Sequence, residues 1–180
     1  MGRNAAMNLF IARECDFSPC RKYRYTLSVA WDHKKPIQPF IGLNPSTADE
    51  TKDDPTVRKC IKWSLQWGAG GFLMLNLFAW RDTDPRGMLR AADPIGEKNT
   101  AHHLVEYVSR QAFRPPVAAW GRYGWHRGQA GLVHDAFLAA GIPLCCMRVN
   151  KDGSPEHPLY LPNATTPTLY MPISAMMTGF

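Results

Sequence analysis

The feature that most constrains this chain is an alternation, from Pro39 onward, of short apolar runs with longer stretches of helical periodicity. The first run, Pro39-Phe40-Ile41-Gly42-Leu43, is stopped by Asn44-Pro45-Ser46. Asp53-Asp54-Pro55 then opens a helix, because an acidic cap satisfies free N–H groups and proline's fixed φ suits the first helical position. Its apolar stripe is Val57, Ile61 and Leu65, with Arg58, Lys59 and Lys62 on the wet side, and the glycine-rich stretch 68–71 ends it. Phe72-Leu73-Met74-Leu75 reads as a buried strand running into Asn76-Leu77-Phe78, and residues 79–94 read as loop. A helix over 95–112 carries Leu104, Val105 and Val108 inward. Pro115-Pro116 breaks the chain before a third strand, Val117 to Trp120. A helix over 125–140, with Leu132, Val133, Ala136 and Phe137 at helical spacing, leads to a fourth strand over 142–149.

Helices of this length between apolar strands imply a parallel sheet with right-handed crossovers. Upstream, residues 23–31 are aromatic and β-branched, and the polar turn 32–36 suggests an antiparallel hairpin with the Pro39 strand. The expected fold is α/β, a three-layer sandwich with a central, mostly parallel four-stranded sheet plus an N-terminal antiparallel hairpin. A single domain is expected over 1–180, with a core from about 23 to 162 and a loosely docked extension over 163–180.

Composition narrows the partners. Hydrophobic residues make up 45% of the chain and it carries six Trp, enough to build a full core, while the net charge of +6 favours polyanions. The five cysteines are odd in number and form no paired metal knuckles, so reduced thiols, no metal and no cofactor are expected. The opening residues read as free of a leader, and no apolar run reaches the length of a membrane span. A cytoplasmic monomer is the expectation.

In an open parallel sheet, ligands bind beyond the carboxyl ends of the strands. The four strands deliver Asn44-Pro45-Ser46-Thr47-Ala48-Asp49, then Asn76, then Gly121-Arg122-Tyr123-Gly124, then Gly153-Ser154-Pro155-Glu156-His157-Pro158. Each piece alone is weak, for a lone His is usually structural. Four on one edge form a candidate site.

Gly42-Leu43-Asn44-Pro45 resembles the Asn form of the first motif of the uracil-DNA glycosylase superfamily. Leu75-Asn76, Ala119-Trp120-Gly121 and His157-Pro158-Leu159-Tyr160-Leu161 are similar to its later motifs, in order, over roughly Pro39 to Pro162. The whole chain is also identified as a member of an uncharacterised bacterial and phage family, domain of unknown function 1643. Its pattern is met at Asn44–Asp49, Asp53–Thr56, Asn76–Ala79, Ala118–Gly121 and His157–Pro162.

The glycosylase resemblance implies a uracil-DNA-glycosylase-like fold and a substrate of double- or single-stranded DNA. It implies that Asn44 holds the attacking water and that His157 donates to the base oxygen as negative charge develops there. Asn76 would read the edge of an extruded pyrimidine, the Ser46 amide would touch the base, and Phe78 or Trp80 would stack on it. Leu161 would wedge the duplex, and Arg58, Lys62, Arg122 and Arg127 would touch phosphates. Asn44 stands where the most active members have Asp, so the carboxylate comes from Asp49, Asp53 or Asp54, or the water is only positioned. Ser46 stands where uracil-specific members have a Tyr that blocks carbon five, which implies a pyrimidine enlarged there. The competing readings are a base- or nucleotide-modifying transferase on the same site and a non-catalytic nucleic-acid-binding module.

Overall fold

The computed structural model describes residues 12–110 and 113–172. Strands β1 (Ala12–Phe17), β2 (Arg24–Ala30), β3 (Ile37–Gly42), β4 (Gly71–Asn76), β5 (Val117–Ala118), β6 (Cys145–Cys146) and β7 (Thr168–Leu169) form one sheet. The helices are α1 (Pro55–Gln66), α2 (Pro85–Arg90), α3 (Ala101–Ser109) and α4 (Gln129–Ala139), with 3-10 turns at Arg122–Gly128 and Pro158–Tyr160.

The fold is α/β, built on a seven-stranded mixed sheet in the order β1-β2-β4-β3-β5-β6-β7. The four strands expected from the alternation are mutually parallel, β4 and β5 each pairing with β3 and β6 pairing with β5. The third and fourth are cut from 117–120 and 142–149 to two residues each, Val117–Ala118 and Cys145–Cys146. The sheet is larger than the sequence suggested, because antiparallel strands extend both ends. Successive residues of a strand face opposite sides. Phe72 and Met74 accordingly join Val57, Cys60, Ile61 and Trp63 of α1 in one apolar cluster. Leu73 and Leu75 join Leu104, Val108, Val133 and Phe137 of α3 and α4 in another.

Several expectations are corrected. The strand at residues 23–31 does not pair with the Pro39 strand; β2 lies between β1 and β4, antiparallel to both. The polar turn 32–36 instead carries the chain over β4, where Trp31 and Asp32 N–H groups both donate to the Gly70 carbonyl at 2.9 Å. The loop 79–94 holds α2, a single short helix capped by the Asp84 carboxylate on the Arg86 N–H. The helix expected from 95 starts at Ala101, since the Asp93 carboxylate holds the Ile95 and Gly96 N–H groups in a turn and Thr100 supplies the cap. Its expected end at Ala112 lies outside the described residues. Leu132, grouped with the apolar residues at helical spacing in α4, is 59% exposed, and Leu65 of the α1 stripe is also exposed.

The stretch after Asn163 is docked rather than loose. β7 pairs with β6, and Tyr170 is buried against Trp120 while its hydroxyl donates to the Gly153 carbonyl at 3.0 Å. Residues 173–180 of that stretch and the opening 1–11 lie outside the described residues. All five cysteines are free thiols, and burial raises the pKa of Cys60 and Cys146. Among the described residues, no helix is long and apolar enough to cross a membrane, and no group of three His, Cys, Asp or Glu side chains is placed to hold a metal ion.

Candidate functional site

The chain leaves β3 toward β4 on one side and later returns to β5 on the other, so the sheet changes winding direction between β3 and β5. A crevice opens at such a point. Here it is a cleft of about 870 Å³ whose walls include Asn44, Ser46, Asp54, Asn76, Gly121, Arg122 and His157. The four strand ends singled out in the sequence therefore do meet at one cleft.

Asn76 closes β4 beside Gly42 of β3 and is buried, 3% exposed. Its Nδ2 is buried with no hydrogen-bond partner, which leaves a desolvated donor at the cleft. Asn44 is differently occupied. Its Nδ2 donates to the carbonyls of Pro45, Trp80 and Asp82 at 3.1, 3.3 and 2.9 Å. The amide nitrogen thus pins the loop after β4, and the oxygen is left as an acceptor for a hydrogen bond from water.

Asp54 caps α1, its carboxylate accepting the Val57 N–H at 2.8 Å. It is buried, lines the cleft, and acts electrostatically on His157. Burial holds the His157 imidazole below its ordinary pKa, outweighing the opposing pull of Asp54. The neutral ring accepts the Leu159 N–H on Nδ1 at 3.4 Å, so its proton sits on Nε2, which makes Nε2–H a donor. Gly121 turns the chain into this cleft at φ +69°, ψ −173°, a conformation reserved for glycine, and its N–H donates to Pro155 O at 2.9 Å. That bond ties the β5 end to the His157 loop.

The other expected residues are placed elsewhere. Phe78 is 0% exposed and packed in the core against His126, so it has no free face on which a base can stack. Leu161 is 4% exposed and belongs to the α1 cluster, so it is not a wedge. Asp49 lies off the cleft, its carboxylate accepting from the Thr51 and Lys52 N–H groups at 2.9 Å, which lowers its pKa. Asp53 is likewise outside, paired with Arg13 at 2.9 Å. Arg58 folds back onto the Asp53 carbonyl, and Arg127 onto the carbonyls of Ala91 and Ala92. Neither they nor Lys62 line the cleft. Of the four basic residues expected at DNA, only Arg122 does, its guanidinium 5.0 Å over the Tyr123 ring.

Among the cleft residues that carried no signal in the sequence are Arg24, Asp82 and Lys151. Arg24 is the most unusual. It opens β2, is 2% exposed, and its guanidinium makes one hydrogen bond among the described residues, Nη1 to Ala48 O at 2.9 Å. Its Nε is buried and unpartnered. The β1–β2 ladder advances one residue from Asp16 to Phe17 but two from Thr26 to Arg24, and such a bulge re-aims the side chain beyond it.

The fold is an open α/β sheet with a polar cleft at its change of winding direction, the place where ligands bind in sheets of this kind. The chain belongs to the family described as "Protein of unknown function (DUF1643)", whose model matches residues 24–159. No curated protein and no solved structure matches it.

Proposed function

We propose that this protein is a DNA glycosylase-like enzyme, with a uracil-DNA-glycosylase-like three-layer arrangement, that hydrolyses the N-glycosidic bond of a 5-substituted pyrimidine in DNA. The observation that carries this reading is the unpartnered, buried Asn76 amide on the same cleft as the neutral, Nε2-protonated His157. A buried donor without a partner costs on the order of 1–3 kcal/mol, a penalty relieved when a ligand oxygen arrives. Asn76 meets the base edge, and His157 Nε2–H meets the oxygen on which charge builds as the C1′–N1 bond breaks and its electron pair leaves with the base. Water, held by the Asn44 oxygen, forms the new bond to C1′ and gives its proton to a cleft carboxylate, a role we assign to Asp54 because it lines the cleft.

With Phe78 and Leu161 in the core, their roles pass to residues at the rim. Tyr160, 76% exposed, and Leu159 stand on the turn after His157, and Tyr123 faces the same cleft. Ser46 lines the cleft with a small hydroxyl side chain, which leaves room at carbon five. Repair, defence against modified phage DNA and DNA modification are the settings such chemistry serves. The test is a mass-spectrometric search for bases released from DNAs carrying plain and modified pyrimidines. Release with abasic-site formation supports the reading, whereas binding without release replaces it with a non-catalytic module and base alteration without release with a transferase.

A further inference from the structure

Arg24 poses a problem that the glycosidic chemistry does not use. A buried guanidinium is costly unless it is paired, since its charge is taken out of water. No carboxylate lies within ion-pair distance of it among the described residues. Asp54 contributes a favourable field, but its carboxylate is engaged on the α1 cap. Burial lowers the pKa of Arg24 to about 10, so it remains a cation near neutrality. With Nη1 held by Ala48 O, the edge left without hydrogen bonds is the side-on pair Nε and Nη2. Two parallel N–H groups of that kind match the two oxygens of a carboxylate or phosphate.

Two further orphan donors belong to residues of the same cleft, Asn76 Nδ2 and Trp120 Nε1. Arg24 and Asn76 share one sheet edge. Arg24 N–H donates to the Ala79 carbonyl at 3.0 Å, three residues beyond Asn76 on the chain leaving β4.

We propose that the cleft floor is an oxyanion subsite, in which the free edge of Arg24 takes a carboxylate or phosphate group of the ligand close to the Asn76 amide that meets the base. This names the charge of what the cleft accepts, and it rests on the glycosidic reading only for the choice of nucleosides as probes. The anionic group arrives either as an acidic substituent on the base or as a phosphate on the sugar. Equilibrium titration of the full chain separates the two, using a thymidine-type nucleoside, its 5-carboxylated counterpart and its 5′-monophosphate.

One anionic probe is expected to bind about tenfold or more tighter than the neutral nucleoside, as a charge-assisted pair provides. The 5-carboxylated probe winning identifies the base as the source, and the monophosphate winning identifies the phosphate. Arg24→Met should erase the gain and Arg24→Lys should restore part of it. Asn76→Asp, which leaves Arg24 in place and changes one atom, should also erase it by repulsion, covering the case in which Arg24→Met fails to fold. Equal binding of all three probes, or a gain that survives Asn76→Asp, overturns the subsite. Base release without any anion preference would sink the subsite and keep the hydrolase, and anion preference without base release would do the reverse.

Discussion

Gly42 and Asn76 face each other across the β3–β4 ladder, and a Cβ built on Gly42 would lie 2.8 Å from the Asn76 carboxamide oxygen. The first motif thus holds a glycine because the second motif's side chain occupies the space beside it. A methyl group there pushes the carboxamide out of register with the cleft.

Gly42→Ala should therefore cost about 1–3 kcal/mol of stability, the usual range for overpacking. It should also lower base release by more than the loss of folded protein explains. Urea denaturation and initial release rates, measured on the same preparation, check both. Release unchanged in a destabilised variant would separate Asn76 from the chemistry.

His157→Ala and Asn76→Ala should each reduce turnover about a hundredfold or more while the fold persists, the scale seen when one donor to a developing oxyanion is removed. Far-ultraviolet circular dichroism and thermal midpoints report the fold, and base release reports turnover. Near-normal rates in both variants would end the glycosylase assignment.

The His157 imidazole titrates below its ordinary value of 6.5 because it is buried, so the unfolded chain takes up this proton at a higher pH than the folded one. The stability due to neutral His157 is complete above pH 6.5 and is lost as pH falls from there through the lowered folded value. Urea midpoints of the wild type and His157→Asn should converge on going from about pH 7.5 to about pH 5.5. A gap that stays constant over that window would place His157 in a solvated setting.

Ser46→Tyr should abolish action on an enlarged pyrimidine and spare action on plain uracil, because Ser46 lines the cleft where carbon five would sit. Paired assays in otherwise identical DNA decide this. A variant that keeps full activity on the enlarged base would show that Ser46 does not border it.

DNA affinity should fall with salt by a slope of about −0.9 in log K per neutralised phosphate. Arg122→Ala should shallow that slope by about one contact, whereas Lys62→Ala, off the cleft, should leave it unchanged. The reverse pattern would move the DNA path to the outer face of α1.

Much of this site was legible because strand ends announce themselves. Asn44, Asn76 and Gly121 each follow an apolar run whose hydrophobicity could only mean burial, and Asp54-Pro55 is a helix start by its own chemistry. Arg24 was not legible, since a bulge rather than the residue type re-aims it, and bulges leave no mark in an aromatic strand. Phe78 misled because the strand hydrogen bonding continues past Asn76, with Leu77 and Phe78 N–H groups donating to Gly42 and Leu43 carbonyls at 2.9 Å. The apparent hairpin failed for a related reason. A polar turn between two strands says that they are close in sequence, while their neighbours in the sheet are fixed by long-range packing with β4.

The hydroxyl of Tyr170 on the Gly153 carbonyl has a practical consequence for anyone cutting this gene. The stretch recognised by the family model stops at Leu159, eleven positions before that tyrosine, and begins at Arg24, after Arg13 has clasped the Asp49 carbonyl from β1. A fragment trimmed to the matched boundaries would keep Asn44, Asp54, Asn76, Gly121 and His157 and yet lose these two fasteners outside them. One fastens the loop that leads to His157 and the other the loop that leads to Asp54. Such a fragment should be read as a test of those fasteners, not of the signature.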